Sequence, residues 1–307
     1  MPAWDAEVVI DGELVRGVLA EQFPELDAAS ARPLAEGWDN SVWVVEEQWA
    51  FRFPRRAIAI PGVEREIAFL SRIAERVPVR IPVPVFVGRP SERYRWPFFG
   101  CALLPGNEPA DLALSDEERV RLGRELGSML RVLHAPGTRH AADPHSALPV
   151  DPVGRTTPER VVLAREQLRR LEALRLWHGA GAVSGILEEA GRLPPPSGPY
   201  VLAHGDLHAR HVLVDGGSLT SVIDWGDVCV ADASIDLMLV WSLLPPSERD
   251  SFLSAYGGPV DAERRLRARA ITLRVYAALA LYAHDIRNLG LKREALAGLD
   301  RVLVDWD

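Results

Sequence analysis

"HGDLHARHVLVDGGSLTSVIDWGD", residues 204–227, gathers three histidines and four aspartates into one short run. Its apolar ends, "HVLVD" and "TSVID", flank "GGSL" and predict a β-hairpin. A register with Asp215 facing Thr220 sets His211 opposite Asp224 and leaves Asp206 in the loop just ahead of the hairpin. His211 and Asp224, two potential metal ligands, then converge with the carboxylate of Asp206. Three readings compete: a metal-hydrolase cluster, a kinase-type catalytic loop, or ordinary strand and turn. An HxxxHxxH zinc site needs its histidines on one helical face, and Gly205 together with a strand starting at His211 breaks that geometry. Phosphoryl transfer instead needs one carboxylate to take the acceptor's proton and another to hold the metal that bridges the phosphates.

Composition narrows the choice. The 307 residues carry a net charge of −8 and no basic stripe, so no nucleic-acid partner is expected. The acid excess is compatible with a cationic small-molecule partner. No apolar stretch approaches the ~20 residues that span a bilayer, and "MPAWDAEVVIDGELV" lacks a signal peptide's basic start. A cytoplasmic monomer without membrane contact is expected. Cys101 and Cys229 are the only cysteines, far apart, which argues against a disulfide framework or a structural zinc site. There is no GxxxxGK[ST] run, so a P-loop is excluded. Lys292 is the sole lysine, so a phosphate anchor must be an arginine or backbone amides.

Upstream, "SVWVVEE", "WAFRFP", "IPVPVFVG" and "WPFFGCALL" read as strands, with one helix among them over "PGVEREIAFLSRIAERV". After "PGNEP" the character becomes helical. "SDEERVRLGRELGSMLRVLH" opens on a capping serine, and "TPERVVLAREQLRRLEALRLW" starts with a threonine and proline. Three further helices follow residue 245. The pattern is α+β: a strand-rich lobe over 1–105 and a helical lobe over 106–307.

With its "HGD" and "IDW" motifs, the chain from about Glu36 to Asp285 resembles the aminoglycoside and macrolide phosphotransferases. The resemblance implies a two-lobed protein-kinase-like fold, an N-terminal antiparallel sheet lobe plus a helical C-terminal lobe, with nucleotide in the cleft. It implies Asp206 as catalytic base, Asp224 as magnesium ligand and Asp236 as a brace for the catalytic loop. His211 stands where the family commonly has asparagine, as a second metal ligand, and macrolide enzymes similarly carry histidine there. Arg52 occupies the place of the kinases' phosphate-anchoring lysine, and Glu66 points inward from the next helix to hold it. "EGWDNSV" lies where the phosphate-covering loop would be, with Ser41 as a donor. Ala102 and Leu104 match the hinge that reads the base of ATP or GTP. Tyr276 and Asp285 are candidates for the wall facing the acceptor. His204 and His208 are expected to buttress the loop, and Arg55 and Arg56 to face solvent. The implied activity is transfer of a nucleotide's γ-phosphate to a hydroxyl of an antibiotic-like compound. A metabolite kinase of choline, homoserine or sugar type, and a non-catalytic pseudokinase, are the alternatives.

Overall fold

The computed structural model describes residues 6–157 and 159–304. Two compact units form. One runs to Glu75, resumes over Arg80–Leu104 and takes in Asp224–Val228; the other holds Arg76–Val79, Pro105–Ile223 and the chain from Cys229 onward.

In the first unit a five-stranded antiparallel sheet has the order β1-β2-β3-β5-β4. Its strands are β1 (Arg32–Glu36), β2 (Asn40–Val45), β3 (Trp49–Pro54), β4 (Phe86–Gly88) and β5 (Phe98–Ala102). Alternation along β3 sends Phe51 and Phe53 into an aromatic core with Trp43, Tyr94 and Phe98, and sends Arg52 to the other face. Helix α1 (Gly12–Gln22) seals the aromatic side with Val15, Val18 and Leu19. Helix α2 (Ile60–Ala74) covers the opposite face, where Val63 packs on Phe99 and Cys101. Two helices therefore stand among these strands, where the sequence reading expects one. The start of α1 is capped by Asp11, whose carboxylate accepts from Leu14 N–H at 2.9 Å. "IPVPVFVG" pairs only over Phe86–Gly88, because Pro82 and Pro84 have no ladder donor.

The second unit is built from α3 (Asp116–Leu133), α4 (Pro136–Ala142), α5 (Glu159–Ala173), α6 (Ser184–Ala190), α7 (Ser234–Leu243), α8 (Arg249–Tyr256), α9 (Ala262–Asp285) and α10 (Leu289–Leu303). The start of α3 is a capping box between Ser115 and Glu118, as its sequence predicts. Pro158, the proline predicted at the start of α5, lies outside the described residues. A buried ion pair of Glu294 with Arg119 at 2.8 Å ties α10 to α3, and Arg301, also on α10, joins Glu294 at 3.0 Å. Two short ribbons complete the unit: β6 (Val201–Ala203) with β9 (Cys229–Ala231), and β7 (Val212–Asp215) with β8 (Ser218–Val222).

The β7–β8 hairpin forms, but not in the expected register. Asp215 pairs with Ser218 rather than Thr220, and an irregularity between Leu213 and Val214 shifts the ladder again. Gly216 and Gly217, at φ +54° and +74°, close the turn in two residues, which few other residues could do. Beyond the ladder, Ile223 N–H donates to the His211 carbonyl, so His211 meets Ile223 and not Asp224. Among the described residues, no helix is long and apolar enough to cross a membrane.

Candidate active site

The expected site residues fall in both units and are taken unit by unit. In the helical unit the loop 204–211 hangs on Asp236, fully buried near the start of α7. Its two oxygens accept from His204 N–H at 2.8 Å and Gly205 N–H at 3.0 Å. His134 reaches the same carboxylate at 3.1 Å and is itself bonded to Tyr256 Oη at 2.9 Å. Burial alone would raise the Asp236 pKa, but the His134 hydrogen bond and charge and the backbone donors outweigh it and hold the group below its ordinary value. This is the brace expected of Asp236.

His204 buttresses the loop, as expected. Its Nδ1 accepts from Asp206 N–H at 3.2 Å, so Nε2 carries the proton toward the Ile223 carbonyl at 2.9 Å. Burial lowers its pKa and keeps it neutral. His208 Nδ1 accepts from Arg210 N–H at 3.3 Å. His211 Nδ1 lies 2.7 Å from the Asp206 carbonyl, which fixes the proton on Nδ1 and leaves Nε2 as the lone-pair nitrogen. Asp206, His208 and His211 offer ligand atoms within 4.8 Å of one another, so two of the three histidines do share a carboxylate. That carboxylate is already claimed by a cation, since Arg155 Nη2 sits 2.9 Å from Asp206 Oδ1.

Sequence reasoning missed Arg155. It arrives on a turn organised by Asp151, which accepts from Arg155 N–H at 2.9 Å and Thr156 N–H at 3.0 Å. The aspartate-then-glycine spacing ahead of Arg155 is a turn signal, but nothing local says where the arginine reaches. Tyr276 is not on a substrate wall. It is fully buried, and its Oη accepts from Ala209 N–H at 3.3 Å, supporting the loop from behind. Burial pushes its phenol up to about 12. Asp285 ends α9, 3.9 Å from Arg170 of α5.

In the sheet unit, Arg52 Nη2 donates to Asp224 Oδ1 at 2.6 Å, and its Nε lies 3.4 Å from Glu66 Oε2. Glu66 is fully buried on α2 and also accepts from Trp225 N–H at 3.1 Å. Arg65 adds a bond from its Nε to the Gly226 carbonyl at 3.0 Å, which fastens the 224–228 segment to α2. The backbone passes so close that a Cβ on Gly62 would stand 3.1 Å from Gly226 O. Asp224 itself is left-handed, at φ +61°, a conformation that non-glycine residues hold mainly where surroundings enforce it.

Burial opposes the Arg52 charge, yet Asp224 and Glu66 outweigh it and raise the guanidinium's pKa. Glu66 is pushed up to about 7 by burial, against Arg52, with Asp224 and Asp227 adding repulsion. Asp39 is raised by burial and by the same two aspartates, against Arg56. Carboxylates thus outnumber arginines around Asp224, an oxygen-donor set of the kind magnesium prefers.

Two expectations fail in this unit. Arg55 and Arg56 are not solvent-facing: Arg55 holds Glu36 at 2.8 Å and the Gly37 carbonyl at 3.0 Å, and Arg56 holds Asp39 at 2.7 Å. Together they clamp the turn between β1 and β2. Ser41 is buried, and its Oγ accepts from Trp43 Nε1 at 2.9 Å, on the aromatic face opposite Arg52. Its hydroxyl is therefore not brought to Arg52, because adjacent β2 positions alternate faces. Ala102 closes β5 opposite Trp49 and is exposed; Leu104 follows it, half-buried.

A family model described as "Phosphotransferase enzyme family" matches residues 30–269. The Bacillus subtilis "Uncharacterized protein YcbJ" is 32% identical over 102 residues, 31% of this chain and 33% of that protein. The match thus spans about a third of the length of that curated relative. Among solved structures, the GDP and kanamycin complex of APH(2")-IIia has 23% identity, covers 93% of this chain and 97% of that one, and gives a TM-score of 0.65. Macrolide 2'-phosphotransferase MphH from Brachybacterium faecium has 25% identity, coverage of 94% and 98%, and a TM-score of 0.57. The streptomycin-ATP-APH(2")-IIa ternary complex has 19% identity, coverage of 96% and 97%, and a TM-score of 0.58.

Proposed function

Because this chain belongs to the phosphotransferase enzyme family and has its kinase-like fold, we propose that it moves the γ-phosphate of ATP or GTP onto a hydroxyl of a small molecule. The observation that carries this reading is the Arg52–Glu66–Asp224 arrangement, a phosphate anchor oriented by one carboxylate and joined to a second that suits a metal. Arg52 orients the α- and β-phosphates, and Glu66 fixes the direction of the guanidinium. The clamped β1–β2 turn lends its backbone to the phosphates, and the backbone of Ala102 and Leu104 reads the base. Asp224 would hold Mg2+, which when bound supplies charge neutralisation of the phosphates. Asp206 takes the acceptor's hydroxyl proton as the new O–P bond forms and the bond to the leaving ADP or GDP breaks. Intact Asp206 and Asp224 disfavour a pseudokinase.

The neighbours whose names carry kanamycin, streptomycin and macrolide support an antibiotic-like acceptor, with Asp285 as a candidate contact. A metabolite kinase is the second reading, favoured by arginines that gather beside Asp206. The test is nucleotide turnover with ATP and GTP in parallel, with and without Mg2+, over antibiotic and metabolite panels. Magnesium-dependent transfer to any hydroxyl supports the reading. Nucleotide binding with no transfer to any acceptor would return the pseudokinase.

A further inference from the structure

Beside Asp206, wholly within the helical unit, lies a shallow recess, partly open to solvent, that no step above uses. Helix α9 presents Arg267, Ala270, Ile271 and Arg274 to it, positions that share one helical face. Opposite stand Arg155, Thr156, Thr157 and Arg160. Four guanidinium groups thus line one small space in a chain whose net charge is −8.

The acids nearby, Asp206, Asp151 and Glu263, offset this charge only in part. Asp206 is matched to Arg155, and Asp151 is occupied by two backbone N–H groups and the Thr156 hydroxyl. Glu263 lies 3.6 Å from Arg267 but is itself mostly in solvent. Arg160 and Arg267 each reach one backbone carbonyl, of Val153 and Pro194. Arg267 Nη1 and Arg274 Nε are buried with no hydrogen-bond partner among the described residues. Burial, with the charges of Arg155 and Arg160, outweighs Asp206 and Asp151 and lowers the Arg274 pKa to about 10. Buried donors of this kind are costly unless something fills them. Two other arginines of the same unit each hold a carboxylate: Arg119 has Glu294, and Arg264 has Asp232 at 2.8 Å.

We propose that this recess binds the carboxylate or phosphate group of a hydroxylated acceptor, so that the substrate is an acid rather than an amine. Planar guanidinium groups match both anions in two-pronged fashion, and the threonine hydroxyls add neutral donors. Arg155 links the recess to Asp206, so an acceptor anchored by its anion presents a neighbouring hydroxyl to the base. A protonated amino sugar would meet arginine charge that Asp206, Asp151 and Glu263 offset only in part. The proposal rests on Asp206 being the base, and it narrows the acceptor to the metabolite side of the reading above.

Calorimetry on the full chain without nucleotide, at constant ionic strength in chloride, tests the recess apart from turnover. The probes are inorganic phosphate, gluconate, glucose and kanamycin. One equivalent of phosphate or gluconate is expected per chain, with no uptake of glucose or kanamycin; the stronger of the first two identifies phosphate or carboxylate as the ligand. Arg274→Gln should weaken that binding at least tenfold, and Arg274→Lys should restore most of it. Without ligand, Arg274→Gln should melt at the same temperature as the parent or higher, because it removes an uncompensated charge. Anion binding indifferent to Arg274, kanamycin binding in place of anions, or a lowered melting temperature in Arg274→Gln would each overturn the proposal. Arg274-dependent anion binding in a chain that transfers no phosphate would uphold the recess and sink the enzymatic reading instead.

Discussion

Arg52 and Arg274 are both turned inward, and the protein treats them in opposite ways. Arg52 lies between Glu66 and Asp224, and its pKa is raised. Arg274 has its pKa lowered, by burial first and then by Arg155 and Arg160, against Asp206 and Asp151. The surplus around Arg52 is negative and that around Arg274 is positive, so one arginine is over-matched and the other under-matched. A folded chain tolerates the second arrangement only at some cost in stability, which a ligand can offset by binding the native state alone. The contrast separates groups that hold the fold from groups that wait for a partner.

The largest test falls on Asp206, which stands next to the region of surplus charge. Asp206→Ala removes the proposed base and also the counter-ion of Arg155. Phosphoryl transfer should drop about 10³-fold or more, while nucleotide affinity by fluorescence titration holds. Equal losses of both would place Asp206 among the groups that merely hold the fold.

Asp236→Asn breaks a fully buried carboxylate with three hydrogen-bond partners and should cost about 3 kcal/mol in chemical denaturation at pH 7. The folded pKa of Asp236 lies below the ordinary 3.8, so its contribution is complete above that pH and disappears as pH falls further. The deficit of the variant should therefore stay constant from pH 8 to 5 and narrow below about pH 4. A deficit that does not change with acidification would mean that the carboxylate's charge is not what braces the loop.

Arg52→Ala sharpens the contrast with Arg274 directly. It strands Glu66 without its cation, so stability should fall by about 2 kcal/mol, opposite in sign to the effect expected of Arg274→Gln. Nucleotide affinity should fall about tenfold to a hundredfold. If both arginine variants destabilise alike, the two environments are not different in kind.

The smallest effect belongs to Tyr276→Phe, which removes a hydroxyl bonded to Ala209 N–H and to Ser242 in a packed setting. A loss of about 1 kcal/mol by thermal unfolding is expected, with no change in acceptor KM. A raised acceptor KM at unchanged stability would return Tyr276 to the substrate wall.

Much of this was legible in the chain itself, and the reasons differ from place to place. The hairpin, the Ser115 cap and the inward Glu66 follow from local periodicity and turn chemistry, which depend on neighbours in sequence. The Asp236 brace was legible only through the resemblance, since nothing in "DASIDLML" reveals what its carboxylate touches. The hairpin register was misread because a bulge and a two-residue glycine turn move every pair while leaving the apolar pattern intact. The place of Ser41 depends on the β2–β3 register, which sets Arg52 across from Val42 and its neighbour on the other face, and the sequence does not fix that pairing. The arginine recess was out of reach, because its members come from a turn, the start of α5 and the middle of α9. In a chain with 34 arginines, composition hides such a gathering.

The five residues Asp224–Val228 belong to the sheet unit although the chain on both sides of them belongs to the helical one. During synthesis, all five strands and α2 have been made once Leu104 has emerged, but Asp224 and Trp225 have not. Until then Glu66 lacks the Trp225 N–H and Arg52 lacks its closest carboxylate. The sheet unit is finished only after the ribosome has delivered more than a hundred residues of the other unit. A fragment cut at residue 104 would therefore be an incomplete module, and adding the 224–228 segment as a separate peptide is the way to complete it.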